Sequence, residues 1–110
     1  MTGGAGDLGV AGVTAIGQGA LFSLANVACL ENMKTNIRFN ELYLRFRVEY
    51  DSNIDDQNPQ GKVKASKFAE VYERILQDEN INGCRVRAIT AADIDDVKYE
   101  KKLPDFMYHA

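Results

Sequence analysis

The sequence predicts an α/β fold of helix–strand–helix–strand order with parallel strand pairing. Three observations carry this. Residues 37–50 contain a period-two run, residues 65–77 an amphipathic helical pattern, and residues 84–89 a second short strand reached after a helix-length crossover. Crossovers of that length join parallel strands, whereas antiparallel neighbours need only a tight turn. The strand–helix–strand unit should cross right-handed.

The elements follow in order. Residues 1–13 form a glycine-rich, irregular lead. A helix is expected over residues 14–31, where Ile16, Ala20, Leu24 and Ala28 repeat at i+4 and Leu21 and Ala25 widen the stripe. Residues 32–36 are a polar break and 37–43 a strand. Leu44, Phe46, Val48 and Tyr50 then alternate with Arg45, Arg47 and Glu49, which puts one face in the core and one in water. Residues 51–61 are a loop punctuated by Asn58-Pro59 and Gly61. A second helix over residues 65–77 presents Ala65, Phe68, Ala69, Tyr72, Ile75 and Leu76 on one face. Asn82-Gly83 is a turn before the strand at 84–89, and residues 91–110 form a charged tail. Two strands alone make a poor sheet, so a third strand or a partner surface is expected.

Composition bounds the class. The chain has 110 residues, 13 Lys+Arg against 16 Asp+Glu, and a formal net charge of −3. That balance gives no reason to expect nucleic acid. Cys29 and Cys84 read as reduced thiols rather than a secreted disulfide framework. No Lys or Arg precedes Lys34, and residues 8–30 carry no charge. This length suits a membrane span, but Gly9, Gly12, Gly17, Gly19, Gln18, Ser23 and Asn26 dilute it. A secretory signal needs a basic leading region, which is missing, and this also weighs against reading Asn26-Val27-Ala28-Cys29 as a lipoprotein site. The preferred reading is a helix buried on most sides. Neither membrane nor nucleic acid is expected as a partner, and a cytoplasmic location follows.

The segment Thr14-Ala-Ile-Gly-Gln18-Gly-Ala-Leu-Phe-Ser-Leu-Ala, followed by Asn36-Ile-Arg-Phe-Asn40, resembles the second half of a short-chain dehydrogenase/reductase. The resemblance covers residues 14–89 and implies a partial Rossmann-like fold over residues 14–90. In that family a catalytic Tyr-x-x-x-Lys opens the long helix, and the next strand reads like Ile-Arg-Val-Asn-x-Val-x-Pro-Gly. The tyrosine position falls on Thr14 and the lysine position on Gln18. Asn40 matches the strand's asparagine, a cofactor-side position, and Pro-Gly falls on Leu44 and Arg45. A threonine hydroxyl titrates far above neutrality and a glutamine carries no charge to lower a neighbour's pKa, so ordinary hydride chemistry is not expected here.

Thr2-Gly3-Gly4-Ala5-Gly6-Asp7-Leu8-Gly9 resembles the family's dinucleotide fingerprint, with Asp7 at the middle glycine. Such a loop holds pyrophosphate only between a strand and a helix. With Met1 alone before it, no first strand is expected. Other sets are weaker. Asp51-x-Asn53-x-Asp55 begins like a calcium loop, but Asp56 and Lys62 occupy its required glycine and glutamate positions. Asp93, Asp95 and Asp96 read as a solvated tail. His109 is the only histidine, which disfavours a triad or zinc site. Arg45 and Arg47 could grip an anion, though they more simply keep an edge strand soluble. Cys29 reads as an inert buried thiol.

The resemblance thus implies a truncated, catalytically degenerate short-chain dehydrogenase/reductase-like chain. It would act by association with itself or a full-length relative through the helix at 14–31, which the family packs in a dimer interface. No cofactor or metal is then expected. The alternative is an NAD(P)-dependent oxidoreductase-like enzyme of small-molecule secondary metabolism with a repurposed site, using NADP or NAD.

Overall fold

A computed structural model describes residues 1–109. In chain order the elements are β1 (Thr2–Gly3), α1 (Ala5–Leu8), α2 (Val13–Glu31), β2 (Glu41–Leu44), β3 (Arg47–Glu49), β4 (Lys62–Lys64), α3 (Ala65–Gln77), β5 (Cys84–Ala88) and β6 (Lys98–Lys101). Single 3₁₀ turns occupy Asp51–Asn53, Ala91–Ile94 and Asp105–His109.

The main sheet runs β1-β2-β5-β6. Its first three strands are parallel: Thr2 stands opposite Tyr43, and Leu42 opposite Val86. β6 is antiparallel, with Tyr99 opposite Val86. This is an α/β arrangement with a mostly parallel, partial Rossmann-like sheet, as the sequence predicts. β3 and β4 form a separate two-stranded parallel pair centred on Val48 and Val63. On one face of the main sheet, Leu42, Val86 and Ala88 pack with Phe68 and Val71 of α3, and Val63, Ile81, Cys84 and Ile94 complete that core. The other face carries Tyr43 against Phe22 of α2, ring centroids 6.0 Å apart.

Several expectations need correction. The glycine-rich lead is not irregular. The Thr2 hydroxyl donates to the buried Glu41 carboxylate at 2.7 Å, and the Gly4 N–H donates to the Leu44 carbonyl at 3.1 Å. These bonds make residues 2–3 a strand, so a strand does precede the turn at Ala5–Leu8. The strand expected over 37–43 begins only at Glu41. Arg38 instead turns aside to cap the end of α3: its guanidinium donates to the carbonyls of Ile75, Leu76, Asp78 and Ile81. A cation there also meets the negative end of the helix dipole. The alternating run breaks at Arg45 and Phe46, and its second half pairs with β4 rather than extending β2. The charged tail contains β6, whose four residues are all exposed and so give no apolar signal.

Both helices are rotated from the expected stripes. α3 buries Phe68 and Val71, leaving Tyr72 and Leu76 exposed. α2 buries Ala15, Ala25 and Cys29, while Ile16 is 74% and Leu24 58% exposed. Small inward side chains explain the choice, because they let the helix approach closely. A Cβ on Gly6 would lie 2.7 Å from the Phe22 ring and 3.0 Å from the Gly19 backbone nitrogen. Within this chain α2 is therefore covered on one face, not on most sides. By length and composition it could also cross a membrane.

Candidate functional site

The carboxyl ends of β1 and β2 open into a cleft of about 410 Å³ lined by Gly3, Gly4, Leu8, Leu44, Arg45 and Phe46, among others. Parallel sheets place ligand crevices at this end. Gly4 fits beneath Arg45, since a Cβ there would fall 2.9 Å from the arginine's Cγ.

Arg45, in the cleft lining, belongs to a hydrogen-bonded trio with Tyr43 and Asp7. The buried Tyr43 hydroxyl donates to Asp7 Oδ2 at 2.5 Å and accepts from Arg45 Nε at 2.6 Å. Arg45 Nη2 lies 3.5 Å from the same carboxylate. The bond from Tyr43 holds the Asp7 carboxyl below its usual range, with Arg85 and Arg45 adding to it against a desolvation penalty. Burial, then Asp7, pushes the Tyr43 phenol up. Tyr43 is thus a fixed, protonated donor and not a base near neutrality. The bond to Tyr43 raises Arg45 in turn. Behind the trio, Arg85 stacks its guanidinium 4.8 Å from the Phe22 centroid and 4.9 Å from that of Tyr43.

Of the dyad and strand positions singled out by resemblance, only Leu44 and Arg45 line this cleft. Thr14 is exposed at the first turn of α2, and its hydroxyl has no hydrogen bond among the described residues. Gln18 Oε1 accepts the Gly3 N–H at 2.8 Å, fastening α2 to β1. Asn40 spends both ends of its amide on structure: Nδ2 donates to the Ile81 carbonyl and Oδ1 accepts from the Cys84 N–H, each at 3.0 Å. Leu44 and Arg45, at the Pro-Gly positions, both line the cleft, as does Arg47, which pairs with Glu49 at 2.5 Å.

The acidic sets have structural work. Asp51 Oδ1 accepts from the Ser66 N–H at the start of α3, and the Ser66 hydroxyl first, then this N–H, lower its pKa. Asp55 bonds the Gln57 N–H two residues on. Asp93 is buried rather than solvated; it accepts from the Ile89 and Thr90 N–H groups and pairs with Lys98 at 2.9 Å. Asp95 pairs with Lys67 at 2.7 Å. Among the described residues no three His, Cys, Asp or Glu side chains converge as metal ligands. The His109 side chain lies outside the described part. Cys29 is buried, and burial raises its thiol pKa. Sequence reasoning missed Tyr43, Glu41 and Arg85. Only the Asp7 charge hinted at a cationic neighbour, and nothing local said which.

The chain is 44% identical over 104 residues to the short-chain dehydrogenase/reductase iacG of Pestalotiopsis fici (strain W106-1 / CGMCC3.15140). The match covers 93% of this chain and 42% of that protein, so the chain spans about two-fifths of the relative's length. No protein-family profile and no solved structure matches. Over these 104 residues the chain is similar to a short-chain dehydrogenase/reductase, and its α/β fold with a mostly parallel, partial Rossmann-like sheet is consistent with that.

Proposed function

We infer that the chain corresponds to the C-terminal half of a short-chain dehydrogenase/reductase-like unit, catalytically degenerate at Thr14 and Gln18. It acts through association with itself or a full-length relative in the cytoplasm. The outward face of α2 carries this reading. Val13, Ile16, Leu24, Val27 and Leu30 are all exposed there, an apolar surface without a charge between residues 8 and 30. Exposed apolar patches of this kind mark interaction surfaces. Sedimentation equilibrium of the purified chain tests it, a dimer or larger species being expected. A stable monomer at high concentration defeats self-association.

The cleft supports a second reading, an NAD(P)-dependent oxidoreductase-like enzyme of small-molecule secondary metabolism. Its support is the Arg45 guanidinium, fixed by Tyr43 and Asp7, beside the apolar Leu8, Leu44 and Phe46. Fluorescence titration with NADH and NADPH separates the two: saturable binding favours the enzyme, and its absence the association reading.

A further inference from the structure

On the α2 side of the sheet, away from the cleft just described, Glu41 is 1% exposed at its side chain and faces two cations. Arg85 Nε lies 2.9 Å from it, and Lys102 forms a close ion pair with it. One carboxylate therefore pairs directly with two cations, Asp7 acting on Arg85 only at longer range while it also pairs with Arg45, so cations outnumber the acids that contact them in a largely buried place. Lys102 is itself only 4% exposed at its side chain. An ammonium carries three N–H donors, and Glu41 is the one acceptor that Lys102 Nζ meets among the described residues. Buried polar groups and charges are ordinarily satisfied, and those left over call for a partner.

The same two cations line a polar recess of about 240 Å³ between α2, β5 and β6, together with Asn26, Glu100 and Lys101. Lys101 donates to the Asn82 carbonyl and Glu100 pairs with Arg87 at 2.9 Å, so the acid at the rim is already engaged. Asn26, exposed on α2, sets an amide at the rim of the recess. A water occupies roughly 30 Å³ in the liquid, so the recess takes a small oxyanion with some of its hydration.

We propose that this recess is an oxyanion-binding site, taking a phosphate group or a carboxylate on Lys102, Arg85 and Asn26. The guanidinium is held flat by Phe22 and Tyr43, and the ammonium by Glu41, so the donors are fixed before the anion arrives. Charge-assisted bonds from such donors are about twice as strong as neutral ones.

The test is an NMR titration of the isotope-labelled full chain with sodium phosphate, sodium acetate and sodium chloride at matched ionic strength. Saturable shifts of the Asn26, Lys101 and Lys102 amides are expected with phosphate or acetate and not with chloride. Phosphate alone identifies a phosphate group, acetate alone a carboxylate. Asn26→Asp puts a negative charge at the rim from an exposed helix position, and it should weaken binding by about tenfold or more. Replacing the pair together, Lys102→Met with Glu41→Gln, should remove it. Equal response to all three salts, no saturation with either oxyanion, or binding unchanged in Asn26→Asp would overturn the proposal.

Discussion

Gln18 accepts the Gly3 N–H at 2.8 Å, so the residue at the family's lysine position is a fastener between helix and sheet. The β1 strand has only two residues and depends on such bonds. Restoring the family dyad therefore has a structural cost. In Thr14→Tyr/Gln18→Lys the amide oxygen is lost and a partly buried N–H is left without an acceptor, a loss of about 1–3 kcal/mol. Chemical denaturation should show that loss. The same variant should show no NAD(P)H-dependent reduction of ketones or quinones above a no-protein control, since a proton-transfer dyad contributes only about 10²–10⁴-fold and cannot hold a nicotinamide. Turnover by the variant, absent in wild type, would mean that a nicotinamide site survives in this chain and would refute the expectation that it holds none.

Acid should weaken the Asp7–Tyr43–Arg45 trio. The folded-state pKa of Asp7 is depressed, first by the Tyr43 hydroxyl. A depressed carboxyl contributes stability above its unfolded pKa, about 3.9. That contribution is lost as pH falls through the lower folded value. Asp7→Asn should thus be less stable than wild type at neutral pH, with the gap closing below about pH 4. Urea midpoints measured across pH would show a constant gap if Asp7 had no such role.

Association and folding can be separated at Leu24. Its side chain is more than half exposed within the chain, so Leu24→Asp leaves the helix–sheet contact of Ala25 and Cys29 in place. The variant should keep a wild-type circular dichroism spectrum and sediment as a monomer. An unchanged oligomer would move the interface elsewhere.

Arg38 should matter more than an exposed-strand arginine would. Its guanidinium bonds four carbonyls at the end of α3 and the turn beyond. Arg38→Ala should cost about 1.5–3 kcal/mol, the range for bonds to a charged donor. Arg38→Lys keeps the charge but not the planar fork, and should recover only part of it. Denaturant titration of the three proteins measures both.

The sequence made α3 legible to the residue, at Ala65–Gln77, and β5 to within one, at Cys84–Ala88. Both rest on local signals: a helical stripe bounded by turns, and a short apolar alternation. α2 was legible as a helix but not in its orientation. Its largest aliphatics suggested the inward face, whereas close packing on the sheet selected the small residues Ala15, Ala25 and Cys29. β1 and β6 were hidden because neither has an apolar pattern; they exist through partners far along the chain, Tyr43–Leu44 for one and Cys84–Arg87 for the other. The resemblance placed Leu44 and Arg45 in the cleft region, yet Tyr43 beside them gave no sign. Its partner Asp7 is 36 residues away, a separation that no local pattern encodes.

Glu41 also bears on how the sheet comes apart. β1 and β6 are opposite edges and share no ladder. The one carboxylate nonetheless holds the Thr2 hydroxyl on one side and Lys102, the residue after β6, on the other. Edge strands ordinarily fray independently. Here the two margins are latched to a common point in β2, so their amides should exchange with deuterium at matched rates, and Glu41→Gln should let each edge open on its own schedule.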